Sequence, residues 1–386
     1  MNYAKLSYVM RVTHKWIAIA VAAPLILFIA TGIFLQVRKP VEWIQPQSAR
    51  GSAIFEPAVT PGQILDAVRG VPRMKVQTWD DLTVLDYRPR KGIIKVRTPE
   101  EFETQVDAKT GEVIKSGQRW NDIVMKVHDG SSWGGRLWLM LPAAVLTLYL
   151  LLSGIYAVVT SARRRLHQWR HLRYMRALKR QHGVMLNQRS FNLARFCLKY
   201  HFWIALIVMV PWLFVVGSGI VLQLRHEIPG VNPELERGNS STPVLEYQAV
   251  LDIAKAIPEL KVKGWSNIWR VYTYPQRGVM QIRTKLGVSA QIDAATGEIL
   301  NVGARSADFW EDMHEGIFGR HQLQSGSPFG EETVHFALAV FLPVHIIALF
   351  LWITGLVYFV RMVPVPKRRR KREAEAPDSA SLAPTA

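Results

Sequence analysis

The sequence predicts an α-helical integral membrane protein: four transmembrane helices from a parallel internal duplication, with two small α+β domains on the outer side. Three observations predict it. Four stretches, 16–37, 137–160, 202–224 and 336–360, contain no Asp, Glu, Lys or Arg. Positive charge is concentrated in three of the segments between and beyond them. The first half of the chain also recurs in the second.

Each apolar stretch is longer than the roughly 20 residues that carry a helix through a hydrocarbon layer about 30 Å thick. A helix satisfies its own backbone there, where water cannot. The first stretch is too long for a removable signal peptide and lacks a small-residue cleavage site, so it is expected to stay as an anchor. Charge then orients the chain. Residues 1–15, 161–200 and 361–386 hold 21 of the 48 basic residues and only three of the 30 acidic ones, which accounts for the net charge of +18. The segments 38–136 and 225–334 balance at 27 basic and 27 acidic residues. The positive-inside rule puts the N-terminus, the middle loop and the tail in the cytoplasm. The charge is a topology and lipid-contact signal, with no nucleic-acid partner implied.

The chain thus divides into an N-terminus with the first span (1–37), an outer domain (38–136), the second span (137–160) and a basic cytoplasmic loop (161–200). A third span (201–224), a second outer domain (225–334), a fourth span (335–361) and a basic tail that reads as disordered (362–386) follow.

The repeat is explicit. At an offset of 187, His14-Lys15-Trp16 matches His201-Phe202-Trp203, while Pro24, Gly32, Gln36 and Arg38 match Pro211, Gly219, Gln223 and Arg225. At 186, Asp107-Ala108-Lys109-Thr110-Gly111-Glu112 matches Asp293-Ala294-Ala295-Thr296-Gly297-Glu298, and His128 falls on His314. At 201, Pro142 and Gly154 match Pro343 and Gly355. Both copies start inside, so the repeats are parallel, related by a pseudo-two-fold axis along the membrane normal. In each outer domain the patterning predicts one amphipathic helix, 61–70 and 244–257, then alternating strands. The strands are expected at Lys75–Trp79, Ile93–Thr98, Phe102–Asp107, Val271–Tyr274, Val279–Arg283 and Ser289–Asp293. Gly111 and Gly297 supply the positive φ of tight turns.

The chemistry is narrowed by what is missing. A single cysteine, Cys197, excludes a disulfide framework, a four-Cys iron–sulfur cluster and a C-x-x-C-H haem site. There is no catalytic triad, P-loop or dinucleotide fingerprint, which argues against a flavin or nicotinamide domain. Each span carries a small-residue pair: Thr31-Gly32, Ser153-Gly154, Ser218-Gly219 and Thr354-Gly355. These serve either close helix packing or the approach of a flat cofactor. Trp16, Trp43, Trp133 and Trp138 fit interfacial belts.

Six of the eleven histidines lie in or beside the bundle: His14, His128, His201, His314, His335 and His345. An ionisable residue within a span is a functional candidate. Neutral imidazole is the ligand of b-type haem, held without a covalent motif. His14 and His201 share the cytoplasmic edge, and His128 and His314 share the outer one. His345 lies about 15 Å deeper than His335 by the helical rise, and its partner would come from His128 or His314. The pairings stay open. His335 and His345 have no counterparts in the second span, where Gly134 and Ala144 stand. His167, His171 and His182 read as solvated; His226 and His321 face outward toward substrate or water. No ligand spacing supports zinc.

The His-x-Trp starts, Thr/Ser-Gly pairs, Asp-Ala-x-Thr-Gly-Glu hairpins and His-x-Gly segments together resemble the PepSY-associated transmembrane family of bacterial inner-membrane proteins, up to about residue 362. Within it the chain looks most like the ferrioxamine-type siderophore reductases. The resemblance implies PepSY-like periplasmic outer domains, cytoplasmic termini, haem b on His14, His128, His201 and His314, and ferric siderophore as substrate.

The resulting expectation is an oxidoreductase with two haem b groups, one near each face. It would carry electrons from a membrane quinol or cytoplasmic donor to a periplasmic ferric siderophore and release Fe(II). The rival is a non-catalytic PepSY module that binds or inhibits a periplasmic protease or senses an envelope ligand. It leaves the duplicated histidines unexplained. A transporter gains little, since the spans hold no ionisable relay residues besides histidine.

Overall fold

The computed structural model describes residues 3–38, 40–160, 193–316 and 337–362. His335, His321, the loop 161–192 and the tail from 363 lie outside the described residues.

Three helical segments, Arg136–Thr160, Tyr200–Gln223 and Leu338–Val357, are long and apolar enough to cross a bilayer, and a bent pair makes a fourth. That pair is α1 (Tyr3–Ala20) and α2 (Ala22–Gln36), whose axes turn by 65° at Val21. The single helix expected over 16–37 is therefore two. Pro24 weakens the helix there: it has no N–H for the Ala20 carbonyl, and its ring crowds that carbonyl. The second span, α5 (Arg136–Thr160), begins with a π-helical turn, Arg136–Met140. The third, α6 (Leu193–Gln223), accommodates Pro211 internally. The fourth, α9 (Leu342–Met362), follows a second π turn, Ala337–Phe341. Both π turns end beside a proline, Pro142 or Pro343, which breaks the ordinary hydrogen-bond ladder.

All four spans contribute to one apolar bundle core: Val21, Leu25, Ile29, Leu150, Val208, Trp212, Val344 and Ala348. Trp16, Trp43, Trp133 and Trp138 project outward, as interfacial tryptophans do.

The segments between the spans form eight strands among the described residues. These are β1 (Val84–Arg88), β2 (Ile93–Arg97), β3 (Phe102–Asp107), β4 (Val113–Gln118), β5 (Ile268–Tyr274), β6 (Val279–Thr284), β7 (Val288–Asp293) and β8 (Ile299–Ala304). Two separate outer domains are expected from the sequence. The structure joins them into one antiparallel sheet, in the order β4-β3-β2-β1-β5-β6-β7-β8. The seam is β1 against β5, with Leu85 opposite Thr273, Asp86 opposite Tyr272 and Tyr87 opposite Val271. Apart, β1 and β5 would each be a bare edge with unpaired backbone groups; pairing removes both edges.

The strand expected at Lys75–Trp79 is absent. Lys75 adopts φ +54°, between two short 3₁₀ turns at Pro72–Met74 and Trp79–Asp81. The helices at 61–70 and 244–257 are present as α3 (Pro61–Arg69), opened by a Thr60–Gln63 capping box, and α7 (Tyr247–Ala256). The repeated Asp-Ala-x-Thr-Gly-Glu runs are hairpin turns. Asp107 Oδ1 accepts from the Lys109 and Thr110 amides at 2.7 and 3.0 Å, and Asp293 Oδ1 from the Ala295 and Thr296 amides at 2.8 Å each. Gly111 and Gly297 then close each turn at φ +80°.

One sheet face is apolar and packs on α3 and α7 in a core continuous across both halves. Tyr87 marks its centre, 4.6 Å from the Tyr247 ring and 5.1 Å from that of Trp265. The opposite face is charged. There two further helices, α4 (Trp120–His128) and α8 (Ala307–Glu315), lead from the sheet to the bundle and carry His128 and His314 at their far ends.

Candidate functional site

Each Thr/Ser-Gly pair receives one histidine from another helix. His128 Nδ1 lies 2.7 Å from Thr31 Oγ1, beside Gly32. His14 Nδ1 lies 2.8 Å from Ser153 Oγ, and its ring lies over Gly154. His314 Nδ1 lies 2.8 Å from the Val215 carbonyl and 3.3 Å from Ser218 Oγ, against Gly219. His201 Nδ1 lies 3.1 Å from the Leu351 carbonyl, one turn before Thr354-Gly355. The small pairs thus do more than pack helices. Their hydroxyls, or the carbonyls one turn earlier, hold an imidazole, and their glycines leave it room.

The hydrogen bonds also assign the tautomer. Carbonyls only accept, so His201 and His314 donate from Nδ1–H, as does His345 to the Phe341 carbonyl at 2.7 Å. Thr31 gives its proton to the Leu27 carbonyl and Ser153 its own to Leu150, so both oxygens accept from the histidine. All five imidazoles therefore keep the Nε2 lone pair, with no hydrogen bond to it among the described residues. An acceptor holding Nδ1–H and leaving Nε2 available is how proteins present histidine to a metal.

The histidines gather at two levels. His14 and His201 lie within electrostatic reach of each other at one end. At the other, His128 and His314 have ring centroids 6.1 Å apart, with Phe28 edge-on to His128 at 5.6 Å. Along α6, His201 and Gly219 are separated by about 27 Å at the helical rise, and the apolar bundle core fills the interval. His345 is buried on α9 and meets His128 over Gly32. Trp212 lies beside it at 6.3 Å, its buried Nε1–H without a partner among the described residues. No group of three or more metal-binding side chains occurs among the described residues. The set offers imidazoles in pairs, as bis-histidine haem requires.

The family model for the PepSY-associated TM region matches the chain twice, over residues 11–185 and 198–375. The chain belongs to this family. No curated protein matches it. Both family matches span a His-x-Trp start, a hairpin and a small-pair cradle, so the cradles belong to the part the family describes.

Between sheet and bundle lies a second polar arrangement that the sequence reading missed. The Asp86 carboxylate takes Arg88 at 2.8 Å and Arg97 and Arg270 at 3.5 Å. Glu103 takes Lys95 at 2.7 Å and Arg119 at 2.6 Å. Burial alone would raise the Asp86 carboxyl, but Arg88, Arg270 and Arg97 hold it well below the carboxylate range. Burial likewise opposes ionisation of Glu103, and Arg119, Lys95 and Arg97 bring it down to about 2. The available signal was a charged or polar residue at every second position: Asp86 and Arg88, Lys95 and Arg97, Arg270 and Tyr272, Gln281 and Arg283.

Proposed function

We propose that this membrane protein is a haem b-dependent oxidoreductase of the bacterial inner membrane, with cytoplasmic termini, that reduces a periplasmic ferric siderophore and releases Fe(II). One observation carries the reading: two levels of paired imidazoles, each held by Nδ1 with Nε2 left for a metal. His14 and His201 are the ligands of the cytoplasmic level, His128 and His314 those of the periplasmic level. His345 stands beside the latter as a third imidazole, and His335 falls in the same region of the sequence.

Haem bound at these levels supplies one-electron exchange, so each ferric ion takes one electron and a quinol or cytoplasmic donor gives them up. The chain's own residues bind and orient. Thr31, Ser153 and the Val215 and Leu351 carbonyls fix ring orientation and make each imidazole a stronger donor. Gly32, Gly154, Gly219 and Gly355 let the rings lie against backbone. The apolar core between the levels excludes water and ions, leaving electrons as the species that can cross.

Purified protein in mild detergent is expected to be red, with a Soret band that shifts on dithionite and returns on anaerobic addition of ferric siderophore. Fe(II) should appear in step with that return. His14→Ala and His201→Ala should remove one spectral component, and His128→Ala and His314→Ala the other. A colourless preparation from haem-replete cells would sink the proposal.

A further inference from the structure

The charged sheet face holds its acids and bases at different depths. Asp86 and Glu103 have wholly buried side chains, 0% exposed. The arginines around Asp86 remain partly open, at 16% for Arg88, 17% for Arg97 and 21% for Arg270. The acids therefore lie behind the guanidinium groups and fix them, and what exposure there is belongs to the guanidinium groups. Their donor capacity is not used up. All three arginines share a single oxygen of Asp86, and Arg97 reaches Glu103 only at 3.5 Å and Asp122 only at 3.9 Å. Arg283 spends Nε on Gln281 at 2.8 Å and reaches Asp308 at 3.8 Å. Each guanidinium carries five N–H donors, arranged to grip planar oxyanions.

Aromatic rings interleave with these cations. Arg270 lies over the Trp269 ring at 4.3 Å, Arg283 over Tyr272 at 4.1 Å, and Tyr272 stacks on Tyr274 at 6.1 Å with 18° between planes. Arg270 also donates to the Tyr272 hydroxyl at 2.7 Å. The corresponding positions in the first repeat, at the offset of 186, are Thr83, Val84, Asp86, Arg88 and Arg97. The aromatic ladder thus belongs to one half only, and it breaks the symmetry of the duplicated scaffold at the central seam. The helix α8 runs from this face to the histidines. Asp308, paired with Arg283 and Arg305, stands six residues before His314, about 9 Å along the helix.

We propose that this arginine–tyrosine face of β1, β2, β5 and β6 binds a polyanionic metal chelate whose exposed groups are carboxylate or catecholate oxygens. It rests on the proposed function in one respect: the chelate would be the ferric substrate, and its class would be anionic rather than the cationic ferrioxamine-type hydroxamate. Guanidinium groups grip the oxygens, and Trp269, Tyr272 and Tyr274 pack against the chelate's flat faces.

Gallium(III) complexes test this without electron transfer, because gallium is not reduced. Binding of gallium citrate and gallium tris-catecholate to the detergent-solubilised full chain is followed by quenching of tryptophan fluorescence, with gallium ferrioxamine as the contrast. At least one anionic complex should bind saturably, weaken with salt, and bind at least tenfold more weakly to Arg270→Gln and to Arg283→Gln. Arg270→Lys should recover part of the loss, and Arg69→Gln, on the opposite side of the sheet, should change nothing. If Arg270→Gln fails to fold, Arg283→Gln and the salt dependence still decide. Equal or tighter binding of gallium ferrioxamine, or anionic binding indifferent to both arginines, overturns the proposal. A haem-free preparation that binds the anionic complex refutes only the redox function, and a haem-loaded one that binds neither anionic complex refutes only this site.

Discussion

Gly219 makes room for His314: a Cβ at that position would stand 3.0 Å from the imidazole Cε1 and 3.3 Å from Nδ1. Gly32 is less constrained, since a Cβ there would meet the His128 and His345 rings at 3.9 Å, an ordinary contact. Gly219→Ala should therefore push the ring by a few tenths of an ångström and perturb the periplasmic haem spectrum. Gly219→Leu should abolish that component, with an overpacking cost of about 1–3 kcal/mol. Gly32→Ala should leave both components in place. Absorption spectra of the three variants, normalised to protein, check the order.

His128 depends on a hydroxyl, whereas His314 can rely on a carbonyl. Thr31→Ala leaves the buried His128 Nδ1–H without its 2.7 Å acceptor, at about 1–3 kcal/mol for an orphaned polar group. Loss of such a partner weakens metal binding by roughly 10–100-fold, so the haem occupancy proposed for the His128–His314 level should fall. Ser218→Ala should change little, because the Val215 carbonyl at 2.8 Å remains. Haem content per protein and midpoint potential of each component, compared between the two variants, measure the difference.

The spans and histidines were legible in the sequence because both are properties of residue type: a bilayer demands apolar runs, and an imidazole in one stands out. The relation between them was not. His14 meets Ser153 across 139 residues and His128 meets Thr31 across 97, and the carbonyls of Leu351 and Val215 leave no mark in the sequence. The break at Val21 was equally hidden. Pro24 and Pro211 occupy equivalent repeat positions, yet α6 continues through its proline and the first span does not. The hairpins were legible through their Asp and Gly, but the seam between β1 and β5 was not. It is a pairing of backbones, and no residue type marks which strand edge will lie beside which.

Glu103 ties the charged face to pH. Its ordinary value of 4.5 is lowered to about 2 in the folded protein, so the unfolded chain binds the proton more readily than the folded one. The resulting stability is fully present above pH 4.5 and disappears as pH falls through about 2; at 1.36 kcal/mol per unit it amounts to roughly 3 kcal/mol. Thermal unfolding of the detergent-solubilised protein should lose midpoint steeply over that interval. In Glu103→Gln the slope should flatten, and stability at neutral pH should drop by about 3–5 kcal/mol, because Lys95 and Arg119 lose a buried counter-ion. An unchanged acid slope in Glu103→Gln would assign the transition to other carboxylates.

Tyr87 tests whether the two halves of the sheet stand or fall together. It belongs to β1 of the first repeat, yet its ring packs on Tyr247 and Trp265 of the second, and its backbone pairs with Val271 across the seam. Were the halves independent, removing the ring would loosen the first and spare the second. One continuous core predicts otherwise. Tyr87→Ala should cost about 3–5 kcal/mol, the range for a buried aromatic truncated to Ala. Hydrogen exchange should accelerate together in β2 and β3 on one side and in β6 and β7 on the other, because the apolar layer they share is one layer. Faster exchange confined to residues 84–107 would mean that the seam joins two separate cores.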